Sequence, residues 1–139
     1  MTGASFPVAR LRRLRRTATL RDLTRETRLE VSDLVYPMFV DHGGSARQPI
    51  ASMPGVDRVS IQEAVTEAGF AYDEGIRAVL LFGIPRSKDA RGSQADHPDG
   101  VVQRTTAALK SALPDLVVIT DVCLCEYTDH GHCGVLEGN

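Results

Sequence analysis

Apolar positions change their spacing along this chain, and the changes mark out alternating strands and helices. At 34–40 the run LVYPMFV is apolar and rich in β-branched and aromatic residues, which predicts a strand. Pro37 has no N–H to donate, so it belongs at an end of that strand or on an unpaired edge. Ile61, Ala64, Val65, Ala68, Ala71, Tyr72 and Ile76 then recur at the spacing of an amphipathic helix. Ser60-Ile-Gln-Glu63 ahead of them is a capping box, and Gly75 is a stop. AVLLFGI at 78–84 and LVVITDV at 116–122 are apolar without alternation, as strands covered on both faces are. Between them Val101, Thr105, Ala108, Leu109 and Ala112 predict a second helix, opened by Pro98 and closed by Pro114. Residues 41–58, rich in Gly, Pro and Ser, read as loop with a short hairpin around Ile50–Val56, and 85–100 as a second polar loop.

Buried strands alternating with amphipathic helices predict a parallel sheet joined by crossover helices, an α/β fold. No Gly-x-Gly-x-x-Gly follows any strand, so a dinucleotide-binding fold has no support. The pattern favours the N-terminal portion of a (β/α)8 TIM barrel preceded by an extended N-terminal arm. A whole barrel takes about 250 residues; this chain has 139. Three strands alone leave open edges, and the closing GVLEGN stops in mid-element. The expectation is therefore an incomplete barrel: an arm at 1–30, with a short helical piece around Leu20–Arg28, then the first three β/α units at 31–139 of a longer protein.

With 42% hydrophobic and 24% charged residues the chain can build a core, which excludes a disordered polyelectrolyte, a collagen-like repeat and a disulfide-dense miniprotein. No stretch of 18 apolar residues can span a membrane, and no apolar segment backs the basic N-terminus as a secretory signal requires. A cytoplasmic protein is expected. The net charge of −2 hides a division: residues 1–28 hold eight arginines against Asp22 and Glu26, a net +6, and the remainder carries −8. Such an arm suits nucleic acid through counterion release, or an acidic surface of another subunit through arginine ion pairs. The lack of any aromatic after Phe6 in the arm and the acidic bulk of the chain favour the protein contact.

Chemistry concentrates in Asp121-Val-Cys-Leu-Cys-Glu-Tyr-Thr-Asp-His-Gly-His-Cys-Gly134, which holds all three cysteines. If the last strand runs on through this stretch, alternation puts Asp121, Cys123 and Cys125 on one face at its carboxyl end, where barrel active sites are built. Gly131 and Gly134 let the chain return and bring Cys133 to the other two sulfurs. Three thiolates make three corners of a zinc tetrahedron, and three protein ligands with an open position is the catalytic pattern. A closed structural site stays open as an alternative if His130 or His132 joins. Three thiolates and Zn²⁺ sum to −1, so the metal suits binding and orienting an amine or carbonyl at least as well as making a strong hydroxide. Asp121 either belongs to this site or only caps the following loop; His132 either supports it or is a hydrogen-bond partner at one remove. Lys88 and Lys110 are the only lysines, one in an exposed loop and one on the polar side of a helix, and neither suits a Schiff base.

RLRRLRR near the start, DLVYPMFV at 33–40, SMPGVDR at 52–58, LLFGIP at 80–85 and DVCLCEYTDHGHCG at 121–134 together resemble the delta-aminolevulinic acid dehydratases, or porphobilinogen synthases, along nearly the whole chain. The resemblance implies a (β/α)8 enzyme that condenses two molecules of 5-aminolevulinate into porphobilinogen with loss of two waters, in tetrapyrrole (heme) biosynthesis. It implies the zinc-dependent, cysteine-rich branch, with Cys123, Cys125 and Cys133 as metal ligands and Asp121 and His132 as polar helpers. It further implies an N-terminal arm wrapped on a neighbouring subunit of a homo-oligomer, typically an octamer, and no nucleic acid or membrane partner. The lysine pair that forms the Schiff base in that family is expected beyond residue 139. The 139 residues alone are therefore expected to be inactive. The alternative is a stand-alone zinc-binding interaction module with a basic arm.

Overall fold

A computed structural model of the chain describes residues 5–10, 12–44 and 47–136. It divides into two units, Met1–Glu30 and Val31–Asn139. In the first, a 3-10 turn at Arg13–Arg15 precedes helix α1, Ala18–Leu23. The Thr17 hydroxyl accepts the Leu20 N–H at 3.2 Å, which starts the helix two residues before the position expected from the sequence. The Thr24 hydroxyl returns to the Leu20 carbonyl at 2.8 Å, and α1 ends at Leu23 rather than running to Arg28.

The second unit contains β1 (Val35–Asp41), β2 (Gln48–Pro49), β3 (Asp57–Val59), α2 (Ile61–Asp73), β4 (Ala78–Ile84), α3 (Val101–Ala112) and β5 (Val117–Thr120). The strands form one sheet in the order β2-β3-β1-β4-β5. β1, β4 and β5 are parallel neighbours, as is β3 with β1, and only β2 runs antiparallel, against β3. The three long strands and the parallel sense follow the sequence pattern. β2 and β3 frame the short hairpin expected around Ile50–Val56: Gln48 pairs with Arg58 and Pro49 with Asp57, with the Ile50 N–H on the Val56 carbonyl at 2.9 Å inside them. Pro37 lies opposite Leu80, and β3 reaches only Phe39 and Val40. The other edge of β1 is therefore open at Pro37, where a missing N–H interrupts no ladder.

Helix α2 begins at the capping box, with the Glu63 N–H on the Ser60 hydroxyl and the Glu63 carboxylate on the Ser60 N–H, both at 3.2 Å. It ends where Gly75, at φ +99°, lets the Ile76 N–H reach the Ala71 carbonyl at 3.0 Å. Met38, Val40, Val79 and Leu81 from the strands pack with Ala64 and Ala68 of α2 and Val101 and Leu109 of α3 in one core. Gly83 continues this row: a Cβ there would lie 2.5 Å from the Tyr127 hydroxyl and 2.6 Å from Val102, so only glycine lets the chain after β5 close over the strand. Among the described residues no helix is long and apolar enough to cross a membrane.

Candidate metal centre

β5 ends at Thr120, two residues short of the apolar run, and this changes how the cysteines meet. The Asp121 carboxylate accepts the Cys123 N–H at 3.1 Å, an aspartate turn that competes with further strand pairing. A tight turn follows, in which the N–H groups of Tyr127 and Thr128 both reach the Leu124 carbonyl at 2.9 Å. Cys125 sits inside that turn. Strand alternation therefore does not place Cys123 and Cys125 together, as the sequence pattern suggested; the turn does. Gly131, at φ +73°, reverses the chain, and the Thr128 hydroxyl holds the His132 carbonyl at 2.9 Å just before Cys133.

The outcome is a cluster. The Cys123 and Cys125 sulfurs share a hydrogen bond of 3.1 Å, and the sulfurs of Cys123, Cys125 and Cys133 all lie within 4.8 Å of one another. Sulfurs bound at about 2.3 Å to one tetrahedral ion lie roughly 3.8 Å apart, so the trio matches such an ion with little adjustment. Among the described residues it is the one group of three possible ligands found. Its electrostatics agree. Cys123 is held below the ordinary thiol range, chiefly by its hydrogen bonds with the side chain and backbone of Cys125. Cys125 is pushed up to about 11 by that same bond, then by burial and the neighbouring sulfurs. Cys133 is raised, first by its bond with Cys123 and then by the charge there. Without a cation the three sulfurs carry their negative charge at one another's expense; a bound dication reverses that balance and deprotonates coordinating thiols. The donor set is soft and fits a thiophilic metal.

The Asp121 carboxylate caps the loop, and its charge opposes the lowering of Cys123 and adds to the raising of Cys133, Glu126 and Tyr127, so it stands beside the cluster. His132 is exposed; its N–H donates to His130 Nδ1 at 3.2 Å, and its ring lies 5.4 Å from the His130 ring, outside the ligand group. His130 Nε2 meets the Ala90 carbonyl at 3.1 Å. Lys110 is a structural residue, bonded to the Pro114 carbonyl and, at 2.9 Å, to that of Leu116.

A cleft of about 510 Å³ opens on the sheet face away from α2 and α3, lined by residues that include Phe39, Met53, Arg58, Phe82, Lys88 and Glu126. Phe39 and Phe82 stack there with ring centres 5.0 Å apart. Burial raises the Glu126 carboxyl above the ordinary range, helped by the charge of Asp121. Sequence pattern offered no sign of Glu126 or Lys88 as cleft residues, because the turn at 124–127 re-aims the former and a loop delivers the latter.

The family model for delta-aminolevulinic acid dehydratase matches residues 8–139, nearly the whole chain. The chain belongs to the delta-aminolevulinic acid dehydratase family. A relative of that name from Synechocystis sp. is 52% identical over 132 residues, covering 95% of this chain and 40% of the relative. Another, from Methanothermobacter thermautotrophicus, is 53% identical over 133 residues, covering 94% of this chain and 40% of the relative. The crystal structure of the delta-aminolevulinic acid dehydratase (porphobilinogen synthase) of Toxoplasma gondii, in complex with its reaction product porphobilinogen, superposes with a TM-score of 0.85 at 37% identity. That match covers 93% of this chain and 37% of the other. The chain spans about 40% of the length of the curated dehydratases it matches, and its parallel sheet and helices correspond to the N-terminal part of the porphobilinogen synthase fold.

Proposed function

We propose that this chain is the metal-bearing part of a cytoplasmic porphobilinogen synthase, which joins two molecules of 5-aminolevulinate into porphobilinogen with loss of two waters. The observation that carries this is the convergence of Cys123, Cys125 and Cys133 within 4.8 Å in a chain of the dehydratase family. Those three residues would hold zinc, which when bound supplies a Lewis acid able to bind and orient a substrate amine or carbonyl at a position the protein leaves free. Asp121 holds the Cys123 N–H and thereby the direction in which that side chain leaves the backbone. Glu126, its carboxyl kept protonated to higher pH by burial, can hold a proton at the cleft wall. Lys88 and Arg58 bring positive charge to the same cleft, which suits a carboxylate ligand. His132, through its carbonyl, anchors the approach to Cys133.

Residues 31–139 then form the first three β/α units of a (β/α)8 barrel, and the arginine-rich arm of 1–30 reaches a neighbouring copy in a homo-oligomer, an octamer by family resemblance. The Schiff-base lysines belong to later strands. The test is turnover of 5-aminolevulinate by the protein as its gene encodes it: porphobilinogen should form, vanish on chelation and return with zinc. Zinc-loaded protein that makes no porphobilinogen contradicts the proposal. Residues 1–139 alone should make none, and turnover above a zinc-only control would place the covalent centre within this chain. Cys125→Ala in the gene-encoded protein should abolish zinc retention and turnover while leaving the circular dichroism spectrum intact; unfolding along with metal loss would mark a closed structural site instead.

A further inference from the structure

The loop between β4 and α3 contains no cysteine, yet it is bonded to the segment that separates Cys125 from Cys133. Asp89 pairs with Thr128 in an isolated parallel bridge. Its N–H lies 3.4 Å from the Tyr127 carbonyl, and its carbonyl accepts the Asp129 N–H at 3.2 Å. One residue on, the Ala90 carbonyl meets His130 Nε2. The loop holds its own shape through the Asp89 side chain: Oδ1 accepts the N–H groups of both Arg91 and Ser93 at 3.0 Å. Gly92, at φ +70°, then lies so close that a Cβ would come 3.3 Å from Tyr127 and 3.4 Å from Thr128. Thr128 is fully buried beneath this contact, and its hydroxyl fixes the His132 carbonyl beside Cys133.

The geometry points to Asp89 as a positioning residue for the metal centre: its carboxylate shapes the turn at 89–93, and its backbone clamps 127–129 so that Cys133 is delivered to Cys123 and Cys125. The inference rests on the proposal that the three cysteines hold a metal. It adds that the third ligand is brought into place by a loop some 40 residues earlier in sequence. Without the clamp, the residues between Cys125 and Cys133 must be ordered by the metal itself, and that ordering is subtracted from binding.

Zinc affinity, measured by chelator competition on the gene-encoded protein, separates this role from general support of a surface loop. Asp89→Ala should weaken zinc by about tenfold or more, while Asp89→Asn, which keeps an oxygen acceptor at the same place, should stay within about threefold of the native chain. Asp96→Ala removes only an exposed 3.8 Å contact with Arg91 in the same loop and should change nothing. Native affinity in Asp89→Ala, equal weakening in Asp96→Ala, or no rescue by Asp89→Asn each overturns the assignment. If Asp89→Ala does not fold, hydrogen exchange of the native, metal-free protein decides: the Asp129 amide should exchange slowly, and exchange at the rate of an open chain overturns the clamp. A native protein that retains no zinc defeats the three-cysteine proposal, and Asp129 protection in that same sample still judges the clamp.

Discussion

Val79 and Leu81 are fully buried in the core completed by α2 and α3, while their neighbours Leu80 and Phe82 in the same strand lie on the opposite face and are half-buried. In register beside Leu80 lie Pro37 on β1 and Ile119 on β5, and Ile119 is 40% exposed with Val117 at 54%. The composition of the two faces is alike; their surroundings are not. The covered face is completed by α2, which lies between β1 and β4 in sequence, and by α3, which lies between β4 and β5, so the crossovers finish it. The other face is bordered by loops that follow the strands, with Met53 after β1, Lys88 after β4 and Glu126 after β5, and it is there that the cleft opens. In a closed barrel this face becomes the lumen, which explains why continuous apolar strands carry one side left bare here.

The comparison can be pressed hardest on the covered side. Leu81→Ala should destabilise the gene-encoded protein by about 3 kcal/mol, because a side chain with no exposed surface leaves a cavity that the packed helices cannot fill. A loss below about 1 kcal/mol in denaturant melts would show that the covered face is not the stabilising one.

A smaller effect on the same side comes from Tyr36, whose phenol donates to Glu67 at 2.5 Å and is pushed up to about 12, mainly by that bond. A folded-state value above the unfolded value near 10 means the bond stabilises at lower pH and is lost as the pH rises from 10 through about 12. The native chain should lose stability over that range faster than Tyr36→Phe; parallel curves would deny the bond any energetic role.

The bare face should respond least. In the 139-residue chain, Ile119→Thr should shift stability by less than about 0.5 kcal/mol while reducing self-association, since it removes apolar surface from an open sheet. A destabilisation matching that of Leu81→Ala would erase the distinction between the faces.

How far the sequence could be read divides along the same line between local and distant partners. The capping box of Ser60 and Glu63 and the stop at Gly75 were legible because every bond in them closes within six residues. The hairpin around Ile50–Val56 was legible from its turn residues, but the pairing of β3 with β1 was not, since Asp57-Arg58-Val59 is too short and charged to show a period and its partner on β1 lies well upstream. The convergence of the three cysteine sulfurs was legible, but its construction was not. The aspartate turn at Asp121 ends β5 early, and the contacts of Asp89 with 127–129 join segments that no local pattern connects. The helical piece expected around Leu20–Arg28 lies instead at Ala18–Leu23, because Thr17 and Thr24 set the ends of α1.

X-ray absorption at the zinc edge of the gene-encoded protein tests the central claim most directly. Three sulfur neighbours at about 2.3 Å and a single lighter atom near 2.0–2.1 Å are expected, with the sulfur shell reduced in Cys133→Ser. Four sulfur or histidine ligands closing the site, or a zinc with no sulfur around it, would contradict the account.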